Sequence, residues 1–236
     1  MLSSRLFSAL ALVALIFLPA PSIAADIKDA EAAVAAGRHA EALPILRPLA
    51  AAGDRDAQTL LGGLLIAGAG GPQDLRAAFD LFTKAAERGQ PLAQYNLGLM
   101  YVRGDGGEVN FAKAASWYRR SASQGIVVAM TQLANLLVEG RGVDRNVVEA
   151  RQWLEHAAKA GDAEAQNLLG VVLANGQDVP ADPTQAYVWL LLADRSGFKA
   201  AQQNVEILKR RLSPEERTKA EQAAAAWQPT VEGTKK

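Results

Sequence analysis

Cysteine is absent from the 236-residue chain, and histidine occurs only at His39 and His156. Without cysteine the chain has no disulfide framework, no thiolate ligand and no attachment point for a lipoprotein anchor. A protein metal site needs about three or four converging ligands, and two histidines far apart in the chain do not supply them. We therefore predict no metal and no cofactor, and we expect surface or packing roles for both histidines.

An excess of charge of one sign is also lacking, because 25 basic residues are balanced by 25 acidic ones. Proteins that bind nucleic acids through their backbone phosphates carry a basic patch or stripe, which gives the domain a high isoelectric point. The balanced composition therefore predicts that nucleic acid is not a partner of this chain.

Long apolar runs are missing from the chain except near its N-terminus. There, Arg5 precedes a 13-residue apolar stretch from Leu6 to Leu18, and the small residues Ser22 and Ala24 follow. This arrangement is typical of a secretory signal peptide, with cleavage expected after Ala24. The stretch is shorter than the ~20 residues that a membrane-spanning helix needs. We therefore predict a cleaved signal peptide at 1–24, a mature chain without an integral membrane segment, and a periplasmic location.

The chain is rich in internal repetition with a period of 36 residues. Glycine recurs at this interval at Gly53, Gly89, Gly125, Gly161 and Gly197. Two columns of alanine keep the same interval, one beginning at Ala42 and the other at Ala57. Self-similarity at a period of about 20–50 residues is typical of a solenoid, in which stacked repeats bury a continuous core.

Each window from residue 57 onward has the pattern of two helices. The first helix carries a leucine followed by a small residue, as in Leu97-Gly98, which lets a second helix approach closely. This helix is predicted to end where glycine accepts a left-handed backbone, at Gly68, Gly104, Gly140 and Gly176. N-cap residues of the second helix follow, at Asp74, Asn110, Asn146 and Asp182. The second helix is predicted to bury alanine and an aromatic column formed by Trp117, Trp153 and Trp189.

The two ends of the repeat region depart from this pattern, as capping repeats do. The predicted segments are a degenerate helix pair at 25–56, four repeats at 57–198, capping helices at 199–228 and a flexible tail at 229–236. The first pair is interrupted at Gly37. In the last helix, Ser213 is a suitable N-cap, and Glu216 at the third helical position completes a capping box.

The residues of window 93–126 resemble a known repeat. Eight residues of this window are in register with the pattern of that repeat: Leu97, Gly98, Tyr101, Gly104, Gly106, Ala114, Trp117 and Tyr118. This pattern is similar to the Sel1-like repeat, a relative of the tetratricopeptide repeat with a longer interhelical loop. The resemblance implies an all-α fold, a right-handed α-solenoid of stacked antiparallel helix pairs with a C-terminal cap helix. It also implies an adaptor that holds envelope components or signalling receptors, as secreted Sel1-like proteins do.

Motifs for catalysis are not recognisable in the sequence. The glycine-rich stretch 104–107 lacks the preceding strand and the lysine of a phosphate-binding loop, and no G-x-S-x-G elbow occurs. The three tryptophans of the second helices could form a platform for sugars, but their regular spacing favours packing. We predict a monomeric, non-enzymatic protein-binding module. One alternative is a hydrolase acting on cell-wall or β-lactam material. The Sel1-like members linked with β-lactams are rich in cysteine, so the absence of cysteine disfavours this subgroup. The other alternative is a structural envelope spacer.

A protein-binding groove is predicted by carrying tetratricopeptide geometry over to this chain, where the first helix of each repeat would line the concave side. One column expected to face the groove is polar throughout: Thr59, Tyr95, Thr131, Asn167 and Gln203. The same face adds Arg103, Asn135, Glu139 and Asn175. Tyrosine and arginine are enriched at binding hot spots, so Tyr95 is the expected aromatic anchor. A solvated helix face without a partner is the alternative interpretation.

Overall fold

The computed structural model describes residues 23–230, with side chains from residue 27, and this part of the chain consists of helices and connecting turns without a strand. Most of the predicted signal peptide and residues 231–236 of the predicted tail lie outside the described residues. The twelve helices are α1 Ile23–Ala35, α2 His39–Ala51, α3 Arg55–Ala67, α4 Leu75–Glu87, α5 Pro91–Arg103, α6 Phe111–Ala122, α7 Val127–Glu139, α8 Val147–Lys159, α9 Ala163–Asn175, α10 Pro183–Arg195, α11 Lys199–Lys209 and α12 Pro214–Ala226.

The helices stack in chain order, and each packs mainly on the helices directly before and after it. We name α3, α5, α7 and α9 the A helices, and α4, α6, α8 and α10 the B helices. One A helix and the B helix that follows it make one repeat. The all-α solenoid predicted from the 36-residue period is confirmed.

The predicted ends of the helices are also confirmed. All four A helices end at the predicted glycines, whose φ angles of 62° to 77° are left-handed. All four B helices begin at the predicted Asp or Asn caps, and each cap side chain accepts a hydrogen bond from a backbone N–H in the first helical turn. In α12, Ser213 and Glu216 form the predicted capping box. Glycine is required at the helix ends because a Cβ atom is strained at positive φ.

Small residues of the A helices bring the two helices of a repeat into close contact. A Cβ atom built on Gly98 would lie 2.7 Å from the ring of Tyr118, and one built on Gly62 would lie 2.9 Å from the ring of Phe82. Ala134 takes the same place in the third repeat, where the residue at the facing position is the smaller Leu154. The predicted role of this column in close helix approach is thereby confirmed.

The prediction of a buried tryptophan column is wrong for two of its three members. Trp189 is buried, whereas Trp117 and Trp153 are only half-buried. Successive residues on a helix point about 100° apart, so the next position faces the A helix instead. The buried column is made of Phe82, Tyr118, Leu154 and Leu190.

A column of buried glutamines joins successive repeats. The side-chain amides of Gln58, Gln94 and Gln166 each donate, at 3.1 Å, to a backbone carbonyl near the end of the preceding helix. The accepting carbonyls belong to Ala50, Ala86 and Ala158. The last carbonyls of a helix have no partner within the helix, so these glutamines satisfy one of them per junction. The third repeat has Met130 at this position.

The C-terminal segment closes the stack and reaches back across it. In α12 the carbonyl of Ala224 accepts a hydrogen bond of 2.9 Å from Arg195 of α10. After α12 the chain runs to the end of α8, where the backbone N–H of Thr230 donates to the carbonyl of Lys159 at 2.8 Å. Trp227 packs edge-to-face on Trp189, with ring centroids 6.3 Å apart. The last helix therefore covers the final B helix and is tied to the repeat before it.

Candidate protein-binding surface

The A helices share one face whose residues are exposed or half-buried. In α5 this face is formed by Leu92, Asn96, Leu99 and Arg103, which lie within about 60° of one another around the helix. The buried residues Leu97 and Gly98 point to the B helix instead. We call the corresponding residues of the four A helices the outer A face. Its members in the other three helices are Asp56, Leu60, Gly63 and Ala67 in α3, Val128, Gln132, Asn135 and Glu139 in α7, and Glu164, Leu168, Val171 and Asn175 in α9.

The outer A face combines apolar side chains with charged and amide groups. Leu92 is 49% exposed and Val128 is 41% exposed, and they occupy equivalent positions on adjacent A helices. Leu99 and Val171 are half-buried on the same face. The C-terminal ends of the A helices carry exposed polar groups, among them Arg103. Apolar residues framed by polar ones are the composition of an interaction surface.

Four of the predicted binding residues lie on the outer A face. Arg103, Glu139 and Asn175 are exposed at the last positions of α5, α7 and α9, and Asn135 is half-buried in the middle of α7. Glu139 accepts an ion pair of 3.1 Å from Arg141. Their role in binding stays a prediction.

Each of the first four members of the predicted polar column that starts at Thr59 directly precedes a residue of the outer A face in the sequence. The column is therefore rotated about 100° around the helix from that face. The expectation that it lines a groove is wrong for Thr59 and Thr131, which are buried. The Thr59 hydroxyl donates to the carbonyl of Arg55 at 2.7 Å, and the Thr131 hydroxyl donates to Asp162 Oδ1 at 3.0 Å. The Thr59 hydroxyl therefore bonds within its own helix, whereas the Thr131 hydroxyl bonds to the next repeat.

The other three members of this column are in different surroundings. Asn167 is half-buried and accepts a hydrogen bond of 2.9 Å from Asn204 of α11. Gln203 is exposed on α11, and Tyr95 is half-buried on α5. The position of Tyr95 at the edge of the outer A face leaves its predicted role as an anchor open.

Glu164 is a member of the outer A face that the sequence analysis missed. Its carboxylate accepts hydrogen bonds from Asn135 at 2.9 Å and from Gln132 at 3.4 Å, both on the preceding A helix. The polar residues at this level of α7 and α9 thus form one network across the repeat boundary. The signal available in the sequence was the acidic residue at the equivalent position Asp56, 108 positions earlier in the numbering.

Two tyrosines lie together at the edge of the outer A face. The rings of Tyr95 and Tyr118 are 5.9 Å apart between centroids. Burial raises the pKa of Tyr95, and the carboxylates of Glu164 and Asp162 raise it further, while the guanidinium of Arg103 opposes them. Burial is also the main cause of the strongly raised pKa of Tyr118. Both phenols are therefore neutral at physiological pH.

The hydroxyl of Tyr118 is sealed from solvent and has no hydrogen-bond partner among the described residues. A buried hydroxyl without a partner costs roughly 1–3 kcal/mol. We therefore expect Tyr118→Phe to raise the free energy of unfolding at neutral pH by about 1 kcal/mol. Phe82, which fills the same position in the first repeat, shows that the stack accepts this ring. Urea denaturation measures the change, and a loss of stability in the variant would contradict it.

The raised pKa of Tyr118 also sets the direction of a pH effect in the same experiment. The folded chain favours the neutral phenol of Tyr118. The stability of the natural chain is therefore unaffected by this ionisation below a pH of about 10, the pKa of tyrosine in the unfolded chain, and it falls as the pH rises above that value. The stability gap between Tyr118→Phe and the natural chain should therefore widen from pH 8 to pH 11. Tyr101→Phe, which alters a half-buried ring, is the matched control.

Arg103 is the basic residue among the members of the outer A face. It forms no hydrogen bond or ion pair with another residue of the described chain, and its charge reaches Tyr95 and Tyr118 only through space. Residues 27–230 contain no group of three or more His, Asp or Glu residues placed to hold a metal ion. The groups that the outer A face presents are apolar side chains, amides, carboxylates and the guanidinium of Arg103.

The helix pairs and their open outer face define a helical-repeat solenoid. Four successive matches to the Sel1 repeat model cover residues 55–90, 91–126, 127–162 and 163–197, which is more than half of the chain. The chain belongs to the Sel1 repeat family. Proteins with this fold are typically non-enzymatic scaffolds for protein–protein interaction.

Solved structures of proteins from three bacteria are similar to this chain. A Sel1 repeat protein from Oxalobacter formigenes is 29% identical with a TM-score of 0.75, and the match covers 85% of this chain and 82% of that one. A protective antigen present in uropathogenic Escherichia coli strains, with an SLR fold, is 25% identical with a TM-score of 0.53, covering 80% of this chain and 48% of that one. A Sel1 repeat protein from Klebsiella pneumoniae is 23% identical with a TM-score of 0.52, covering 79% and 93%, and supports the fold alone. No curated protein matches the chain.

None of the helices in the described part of the chain is both long and apolar enough to cross a membrane.

Proposed function

We propose that this chain is a periplasmic adaptor that binds a protein partner through the outer A face of α5 and α7. The observation that carries the proposal is the combination of exposed Leu92 and Val128 with the unpaired guanidinium of Arg103. The two apolar side chains occupy equivalent positions near the N-terminal ends of successive A helices, and Arg103 lies at the C-terminal end of the same face of α5. Arginine and aromatic groups beside apolar area are the components of binding hot spots.

The proposed partner is an envelope complex or the extracytoplasmic part of a membrane sensor. The signal-peptide pattern before Ala25 supports a location outside the cytoplasm. A solenoid presents an extended surface along its whole length, which suits contact with a folded domain or a long segment of another protein. The adaptor role agrees with the scaffold function that is typical of the Sel1 repeat fold.

Site-specific photo-crosslinking of the full chain in bacterial cells tests both the location and the surface. A photoreactive phenylalanine analogue is placed at Leu92 or Val128 on the outer A face, and at Val148 on α8 as the matched control. Val148 is a similarly exposed apolar residue at 52%. We expect one protein to be crosslinked from positions 92 and 128 and not from position 148, in the periplasmic or membrane fraction.

Charge reversal then tests the guanidinium. Arg103→Glu is expected to weaken the affinity for the captured partner by about tenfold or more, because truncated or reversed hot-spot residues cost about 2 kcal/mol. Arg76→Glu, which changes an exposed arginine of α4, should leave the affinity unchanged. Crosslinks from position 148 alone, or equal loss of affinity in both charge variants, would contradict binding through the outer A face.

A further inference from the structure

A cleft lies between α10 and α12, away from the outer A face, where the last helix covers the final B helix. Its volume is about 420 Å³, within the ~300–1,000 Å³ range of small-molecule sites. Its lining includes the short apolar side chains of Val188, Ala220 and Ala223. Two indole rings, Trp189 and Trp227, complete the apolar wall.

The two indoles have different origins and are held in a fixed relation. Trp189 belongs to the repeated column, whereas Trp227 follows α12 and has no equivalent in the repeats. Their ring planes are 77° apart, in an edge-to-face arrangement, and the ring of Trp227 is the more exposed of the two. Trp189 is 8% exposed and Trp227 is half-buried. Both tryptophans line this one opening at the C-terminal end of the stack.

The indole N–H of Trp189 has no hydrogen-bond acceptor among the described residues. In the preceding repeat, the N–H of Trp153 donates to the carboxylate of Glu149 at 3.2 Å. The residue equivalent to Glu149 is Gln185, which lines the cleft but does not accept from Trp189. The nitrogen of Trp189 is also not one of the polar atoms sealed from solvent. Trp189 lines the cleft, is more than nine-tenths buried, and keeps an unused donor that is not sealed from solvent.

Polar groups on the rim of the cleft are also unused. The side chains of Thr184, Gln185 and Lys219 make no hydrogen bond or ion pair within the described part of the chain. Asp182 caps α10 through Oδ1, which accepts from the backbone of Gln185 at 2.9 Å. One ammonium and one carboxylate therefore balance each other, and the rim offers hydroxyl, amide and indole N–H groups without a net charge.

We propose that this cleft binds a neutral carbohydrate. A sugar ring has a face of C–H groups, which packs on an aromatic ring, and an edge of hydroxyls, which exchange hydrogen bonds with amide, hydroxyl and carboxylate groups. The balanced charge of Asp182 and Lys219 does not favour an anionic or a cationic ligand. The packing role predicted for the tryptophan column agrees with the burial of the Trp189 ring. The site arises because Trp227 adds a second indole that the repeats do not contain.

Titration of the full chain with three neutral trisaccharides, triacetylchitotriose, cellotriose and maltotriose, tests this proposal. Tryptophan fluorescence and ligand-observed NMR saturation transfer report binding. We expect saturable binding of at least one of the three, and a loss of about tenfold or more in affinity in Trp227→Ala, as for aromatic anchors in other sites. Trp117→Ala, which removes a half-buried indole of another repeat, is the matched control and should bind as the natural chain does.

The double variant Gln185→Ala, Lys219→Ala covers the case in which Trp227→Ala loosens the last helix. Both side chains are exposed, so their removal leaves the fold intact while taking away rim donors. Weaker binding in this variant, with an unchanged thermal unfolding midpoint, supports the cleft. Absence of binding by all three sugars, or unchanged affinity in the double variant, would overturn the proposal, as would preferential binding of acetate or of a tetra-alanine peptide used as probes. These outcomes are independent of crosslinking from the outer A face.

Discussion

Gly98→Ala is expected to lower the free energy of unfolding by about 2 kcal/mol, although alanine is ordinarily the better helix former. The added Cβ atom would lie 2.7 Å from the ring of Tyr118 and 3.3 Å from the carbonyl oxygen of Ala114. The ring is buried and cannot turn away without displacing its neighbours, so α5 and α6 must separate. Urea denaturation followed by circular dichroism measures the loss.

Gly63→Ala is the matched control for this substitution. Gly63 lies in the interior of an A helix, is exposed, and has no atom within 4 Å of its built Cβ. Alanine there is expected to stabilise the chain by about 0.5–1 kcal/mol, because it removes only the conformational freedom of glycine. If Gly98→Ala stabilised the chain as Gly63→Ala does, the close approach of α5 and α6 would be contradicted.

A second substitution should rescue Gly98→Ala. The third repeat already combines Ala134 with Leu154 at the equivalent positions. Tyr118→Leu costs packing area on its own, but in its presence Gly98→Ala should lose part of its effect, because the third repeat packs alanine and leucine at these two positions. Leucine alone does not make the space, since a Cβ atom built on Gly170 would lie 2.7 Å from Leu190 in the fourth repeat. The coupling energy between the two sites is the direct measure of their contact.

The sequence predicted the parts of this fold that depend on local backbone chemistry. Left-handed helix ends, Asp and Asn caps and the Ser213 capping box are each set by a few neighbouring residues. Their 36-residue spacing then showed how the helices are arranged. The role of Gly98 was also recognisable. Glycine in the interior of a helix costs stability, and its recurrence at this column indicated close contact with a second helix.

What could not be predicted was how far each helix is rotated about its axis. Repetition identifies columns of equivalent positions, but adjacent columns repeat equally well and point about 100° apart. Trp117 and Tyr118 are both aromatic, and the sequence did not distinguish which of them contacts Gly98. The same error of one position placed Thr59 and Thr131 in a groove, although they lie between repeats.

The missed contacts join residues of different repeats. Gln94 reaches a carbonyl of α4, and Glu164 accepts from α7, so both roles depend on the stacking distance between repeats. A buried glutamine reads as an ordinary polar helix residue until the carbonyl opposite it is known. The cleft beside Trp189 was missed for a similar reason, because Trp227 comes from a segment outside the repeat pattern.

Gly142→Ala is expected to cost about 3 kcal/mol or more, because two penalties combine. Gly142 has a φ angle of 72°, and its built Cβ would lie under 3.0 Å from the backbone of Phe111 and Ala112 at the start of α6. These are backbone atoms of the preceding repeat, so relief requires the third repeat to shift away from the second. In a stack held together by contacts between neighbours, a weakened junction should lower the cooperativity of unfolding as well as its midpoint.

Gly37→Ala separates the strain of the backbone from the contact between repeats. Gly37 has the same φ angle of 72°, but no atom lies within 4 Å of its built Cβ. Alanine there should cost about 1–2 kcal/mol through backbone strain alone and leave the denaturant slope unchanged. The additional loss in Gly142→Ala, together with a shallower slope, would then measure the junction between the second and third repeats. Equal losses with equal slopes would mean that this loop does not hold the two repeats together, and that their coupling depends on the helices alone.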